Sequence, residues 1–240
     1  MPRYILCLIL IFSFSMAKEV DLVLNAAAHP PLSSKNNKGF VDQLVLEAFK
    51  RIGKNIKFVH KPDQRSITDS NEGRGDGELM RVAGLSKIYP NLIQVSENII
   101  DLEYVAFSKR DDIKIENWNS LKKYHVGIMR GWQILETNIE KTEKRHSFNQ
   151  AKHLFKMLEN NRLDLVIYGK YLGKLTIKEQ GYKNIKLLSP PLATEPHYLY
   201  LHKKHKDLVP KLVKSLQSIK KDGTYKKLKA RFLYSPRNIK

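Results

Sequence analysis

A guanidinium, an indole and an imidazole are the groups in this chain with most to offer a partner. Arg81 can present two parallel N–H donors to a carboxylate or phosphate. Trp132 stands where a helix is predicted to start, and an indole there can stack on a ring or a cation. His29, in the loop His29-Pro30-Pro31, and Glu78 could serve as general acid and base if both reached one substrate. Each has a plainer reading. Arg81 lies three residues after Glu78 and can pair with it, and Trp132 can be packing at a helix start.

Other chemistry is missing its parts. His197, His202 and His205 are close in sequence, but no acidic residue or Cys completes a metal set. Gly73, Gly75 and Gly77 lack the spacing of a dinucleotide loop, and Gly169 to Leu175 lacks that of a phosphate loop. There is no nucleophile elbow. Arg74-Gly75-Asp76 is an adhesion-like tripeptide with no supporting context. The expectation is no catalytic residue, no metal and no cofactor.

Short β-like runs alternate with helical patterns along the chain. Residues 20–24 read as a strand. Phe40, Val41, Leu44, Val45, Phe49 and Ile52 recur at helical spacing, with Gly53 placed to cap them. Strands are predicted at 56–59, 77–80, 105–107, 125–128, 163–167, 185–188 and 198–201. Helices are predicted at 64–71, 118–121, 132–139, 172–180, 208–220 and 224–232. Ser147-Phe148-Asn149-Gln150 reads as a capping box before the amphipathic run Ala151, Leu154, Phe155, Leu158. Strands alternating with helices argue for α/β lobes with largely parallel sheets.

The first seventeen residues set an expectation of location. Arg3 gives a positive start, Tyr4 to Phe14 an apolar run, and Ser15-Met16-Ala17 a small-residue end, the pattern of a secretory signal peptide. An exported, periplasmic protein is expected. The single Cys, Cys7, falls inside that segment, so thiol catalysis, zinc-thiolate sites and disulfides are excluded from the mature chain. The formal charge of +19 would suggest nucleic acid in a cytosolic protein. An exported one meets little of it, so lysines spread over solvated faces are the preferred reading, with an anionic ligand or membrane surface as the weaker option.

Several stretches resemble, in order, the type II periplasmic binding fold of family 3 extracellular solute-binding proteins. They are His29-Pro30-Pro31, Gly39-Phe40-Val41-Asp42-Gln43-Leu44, Gly75-Asp76-Gly77, Val126-Gly127-Ile128-Met129-Arg130-Gly131, Asn161-Arg162-Leu163-Asp164 and Asp222-Gly223-Thr224-Tyr225. The resemblance implies two α/β lobes joined by two crossovers, with a ligand cleft between them. Lobe one would take residues 20–107 and 195–240, and lobe two 108–194. It also implies a non-enzymatic monomer that captures a small solute for a membrane permease of the ATP-driven type. The alternatives are a sensory module on the same fold or a dehydratase-like enzyme.

The resemblance further implies ligand-binding positions. Amino-acid binders of this family carry an Arg twelve residues after the Asp matching Asp76, and an acid five residues after the Asp matching Asp164. This chain has Ile88 and Gly169 there, which argues against a standard α-amino acid ligand. Arg81 and Met80 on one strand, Gly131 and Trp132 in lobe two, and His29 and Arg65 in lobe one are the implied ligand-facing set. An anionic or aromatic-bearing solute would suit them. Asp76 and Asp164 read as turn residues.

Overall fold

The computed structural model describes residues 20–234. The predicted signal peptide and Cys7 lie outside the described residues. Among those described, no helix is long and apolar enough to cross a membrane.

Two sets of three parallel strands organise the fold. In the first, β1 (Leu22–Ala26) runs between β2 (Ile56–His60) and β3 (Gly77–Val82), parallel to both. In the second, β6 (Val126–Met129) runs between β7 (Arg145–Phe148) and β8 (Leu165–Gly169), again parallel to both. Two longer strands, β5 (Ile100–Ser108) and β10 (Ala193–His202), pair antiparallel with each other and link the sets, β10 against β3 and β5 against β8. The sheet order is β2-β1-β3-β10-β5-β8-β6-β7, with β4 (Leu92–Gln94) beside β10 and β9 (Lys186–Leu187) beside β5.

Helices cover this sheet through apolar stripes. Helix α1 (Phe40–Arg51) buries Phe40, Val41, Leu44, Val45, Ala48 and Phe49, and Gly53 beyond its end takes φ +71°. Its first turn is held by Asp42, whose Oδ2 accepts the Gly39 N–H at 2.8 Å. Helix α2 (Asp63–Asn71) is the exception, with a largely polar buried face of Ser66, Ile67, Asp69 and Ser70. In the second set, α3 (Gln133–Asn138), α4 (Ala151–Glu159) and α5 (Lys170–Glu179) follow β6, β7 and β8. Helices α6 (Val209–Lys221) and α7 (Thr224–Lys229) return to the first set, where Ser215 Oγ donates to the Ala48 carbonyl at 2.8 Å.

Two aspartates do the same task in the two sets. Asp76 Oδ2 accepts the Val23 N–H in β1 at 2.6 Å. Asp164 Oδ2 accepts the His125 N–H, just before β6, at 2.9 Å. Each fastens the start of a central strand, which is the turn chemistry expected of them. Gly77 beside Asp76 allows a close approach: a Cβ there would sit 2.1 Å from the Tyr200 carbonyl oxygen.

Three expectations need correction. Ser147 and Phe148 belong to β7, opposite Ile128 and Met129, and α4 has no side-chain cap. Ladder hydrogen bonds to β6 hold Ser147 extended, so the capping box does not form. Strands β5 and β10 extend well beyond the predicted 105–107 and 198–201. Strand β4 was absent from the prediction.

Candidate functional site

The carboxyl ends of the parallel strands are where open α/β sheets bind ligands, because strands stop there and helix N-termini face the gap. In the first set, β1 leads to His29, β2 to Asp63 at the start of α2, and β3 carries Arg81 one residue before its end. These side chains meet. Arg81 donates from Nη1 to Asp63 Oδ1 (2.8 Å), from Nη2 to the Asp63 carbonyl (2.9 Å) and from Nε to Glu78 Oε2 (2.8 Å). His29 Nε2 lies 3.2 Å from Asp63 Oδ2. The result is a chain, His29–Asp63–Arg81–Glu78.

Its members differ in exposure and so in electrostatics. Glu78 is 1% exposed and accepts Ser66 Oγ at 2.7 Å. Burial pushes its carboxyl up, against Arg81 and the serines. Asp63 is 55% exposed. The hydrogen bond from His29, then the charges of His29 and Arg81, hold its carboxyl down at about 2. Arg81 is 17% exposed. Three of its five N–H donors are used, leaving one on each terminal nitrogen.

A β-bulge explains why Glu78 and Arg81 can meet. Glu78 pairs with Tyr200 and Arg81 with Tyr198, so β3 takes three steps while β10 takes two. The extra residue returns Arg81 to the side that Glu78 occupies. Met80 falls within this bulge and is half-buried, packed against the core.

The second set offers an aromatic group. Gly131, at the end of β6, has φ +79°, and its N–H donates to Glu136 Oε1 at 2.8 Å. This turn delivers Trp132 to the start of α3. The indole stacks on Tyr168 of β8, centroids 4.7 Å apart and planes 13° apart, and meets Tyr104 of β5 edge-on at 6.0 Å. Burial pushes the Tyr168 phenol up to about 12. Burial and then the charge of Glu195 raise that of Tyr104, which donates to Glu195 Oε2 at 3.2 Å.

The structure therefore joins Arg81 to His29 and gives Trp132 aromatic partners. It does not bring Arg65 into that network: Arg65 is 77% exposed on α2, with Nε 3.9 Å from Asp69. Ile88 is 72% exposed after a single 3-10 turn. Asp63, Tyr104, Tyr168 and Glu195 were not singled out from sequence. Asp63 had a signal, since it opens a polar helix directly after a strand. Tyr104 and Tyr168 sit one residue beyond the predicted strand limits. Two hollows, of about 30 and 440 Å³, lie at the opposite strand ends, beside Val126 and Ile56 respectively.

No family model matches the chain. An uncharacterized protein of Shewanella oneidensis is 26% identical over 198 residues, spanning 79% of this chain and 74% of the relative. Among solved structures, the GluR0 ligand-binding core in complex with L-glutamate superposes with TM-score 0.76 at 12% identity, covering 90% of this chain and 99% of that one. This chain has the type II periplasmic binding fold. Two other two-lobed proteins of this fold are similar to it. A histidine kinase sensor domain with similarity to periplasmic binding proteins gives TM-score 0.72 at 16% identity, covering 88% and 95% of the two chains. The substrate-binding protein of an amino acid ABC transporter gives 0.67 at 19% identity, covering 89% and 99%. Strands β5 and β10 connect the two parallel sets. Arg81 lies near the carboxyl end of a strand in the first set, and Trp132 follows a strand of the second.

Proposed function

We infer that this protein is an exported solute-binding receptor whose lobes close on a small molecule between Arg81 and Trp132. The observation that carries this reading is the placement of both residues at carboxyl ends of parallel strands, one in each set, on either side of the crossovers. Among the described residues, the topology supports lobes of residues 20–107 with 195–234, and 108–194. Closure would bury solute between two surfaces by hinge motion at the crossovers. How far it shifts the population is set by the difference in affinity for closed over open.

Trp132, half-buried against Tyr168, supports a solute with a flat or aromatic part. Arg81 supports a hydrogen-bond acceptor on it, through its two remaining N–H groups. Asp63 and Glu78 already balance the Arg81 charge, which favours a neutral or singly charged acceptor over a highly charged anion. Ile88 and Gly169 carry neither charged group of an α-amino acid reader. General acid–base work finds less support, because Glu78 is buried and separated from His29 by Arg81 and Asp63.

A thermal-shift screen of aromatic acids, phosphates, peptides and amines tests the receptor reading. A solute at a hundredfold excess over its Kd should stabilise the fold by about 2.7 kcal/mol. A broad screen without any stabilised condition would count against it. Both transport and sensing use this cleft, and the likeness to a sensor domain keeps sensing as the second reading. A permease and ATPase encoded beside the gene would favour transport, and a membrane kinase would favour sensing.

A further inference from the structure

The positive charge of the chain is concentrated in one place that the cleft does not use. Between Lys203 and Lys229 stand ten lysines and two acids, Asp207 and Asp222. Asp222 is already held by Arg51 at 2.6 Å. Lys211, Lys214 and Lys221 on α6, with Lys203, Lys206 and Lys226 flanking it, are exposed, and none meets a carboxylate among the described residues. Of the other lysines in this run, Lys204 pairs with Asp76 and Lys220 with Glu97.

Helix geometry puts the free charges on one face. Leu212, Ser215, Leu216 and Ile219 are buried on the side toward α1. Lys214 and Lys221, seven residues apart, lie within about 20° of each other on the opposite side, roughly 10 Å apart along the axis. Lys211 is one turn before Lys214 on the same flank. A flat row of unpaired ammonium groups on a rigid helix is complementary to a plane of negative charge. Helix α6 carries no aromatic residue on which a base could stack. The helix packs against α1 and α7, elements that carry neither Arg81 nor Trp132.

We propose that the outward face of α6 rests on an anionic lipid bilayer surface, holding the receptor against a membrane by charge without inserting. Each lysine near such a surface contributes about fivefold in partitioning, an effect that fades within the Debye length and with added salt.

The test is sedimentation of the full chain with vesicles of phosphatidylcholine, with and without phosphatidylglycerol. The wild type should bind only the phosphatidylglycerol vesicles and be released by salt. A K211Q/K214Q/K221Q variant keeps good helix formers and should lose on the order of a hundredfold in partitioning. A K152Q/K156Q/K183Q variant makes the same charge change on exposed lysines outside α6 and should lose only a few-fold. Equal losses in the two variants, or no binding of the wild type, would overturn the proposal. So would an α6 variant that loses affinity for a double-stranded DNA probe while keeping its affinity for vesicles. These outcomes leave the cleft reading untouched, since solute stabilisation is measured separately.

Discussion

Arg81 Nη1 and Asp63 Oδ1, 2.8 Å apart, tie the end of β3 to the first turn of α2. Through Nε the same guanidinium neutralises Glu78, which is otherwise buried among serines. Arg81 is therefore both a strut and a candidate solute reader. Arg81→Ala leaves Glu78 buried without its cation and should cost about 1–3 kcal/mol of folding stability. Urea denaturation measures this, and adding Glu78→Gln should recover part of the loss. An unchanged midpoint for Arg81→Ala would show that the strut carries no energy.

Asp63 makes the acid limb of stability predictable. Its folded carboxyl sits at about 2 against an ordinary 3.8, so the sign is that of a depressed acid. Its contribution is complete above 3.8 and is lost as pH falls toward about 2. Asp63→Asn should be less stable than wild type at neutral pH, and the difference should shrink across that window. Denaturation midpoints at several acid pH values would show whether the two curves converge.

How much of this was legible in the sequence depended on whether local pattern and tertiary pairing agreed. The α1 stripe from Phe40 to Phe49 was legible because its apolar period matches burial on one side. Asp76 and Asp164 were legible as turn residues, and each accepts a backbone N–H. The Glu78–Arg81 pair was open between surface and cleft, because alternation along β3 fails at a bulge that only β10 creates. The polar first half of β10, Thr194-Glu195-Pro196, does not read as a strand. Its partners lie almost a hundred residues away in β5, where Leu102 faces Glu195 and Asp101 faces Pro196. Ser147 to Gln150 carried a helix-start signal that parallel pairing with β6 overrode. The aromatic group of Tyr104, Trp132 and Tyr168 joins three distant segments, and no local period could announce it.

Trp132 should report on the cleft. Trp118, the other tryptophan, lies outside the aromatic group, so Trp118→Phe gives a single-tryptophan reporter. Its emission should shift on adding a solute found by thermal screening. Trp132→Ala forfeits the stack with Tyr168 and the edge contact with Tyr104, each worth about 0.5–1.5 kcal/mol beyond buried area. It should weaken solute binding at least tenfold by calorimetric titration. A variant that binds as well as wild type would reassign Trp132 to lobe packing.

His197, in β10, gives a second pH signature. It is buried in β10 opposite Ile100, with Nδ1 3.1 Å from the Glu195 carbonyl oxygen. Burial lowers its pKa below the ordinary 6.5; the Glu195 backbone bond and the charges of Glu195 and Asp101 oppose this, and Arg81 reinforces it. The folded state thus prefers neutral imidazole, while the unfolded chain takes a proton more readily. Stability from this group is present above 6.5 and declines as pH falls below it. His197→Gln has nothing to protonate, so its midpoint should vary less than that of wild type from about pH 8 to about pH 5. Parallel curves would mean that His197 gains a proton without disturbing the fold. Because β10 pairs with both β3 and β5 and so links the two parallel sets, mild acid should loosen that link before it reaches the Asp63–Arg81 pair, whose loss begins only below 3.8.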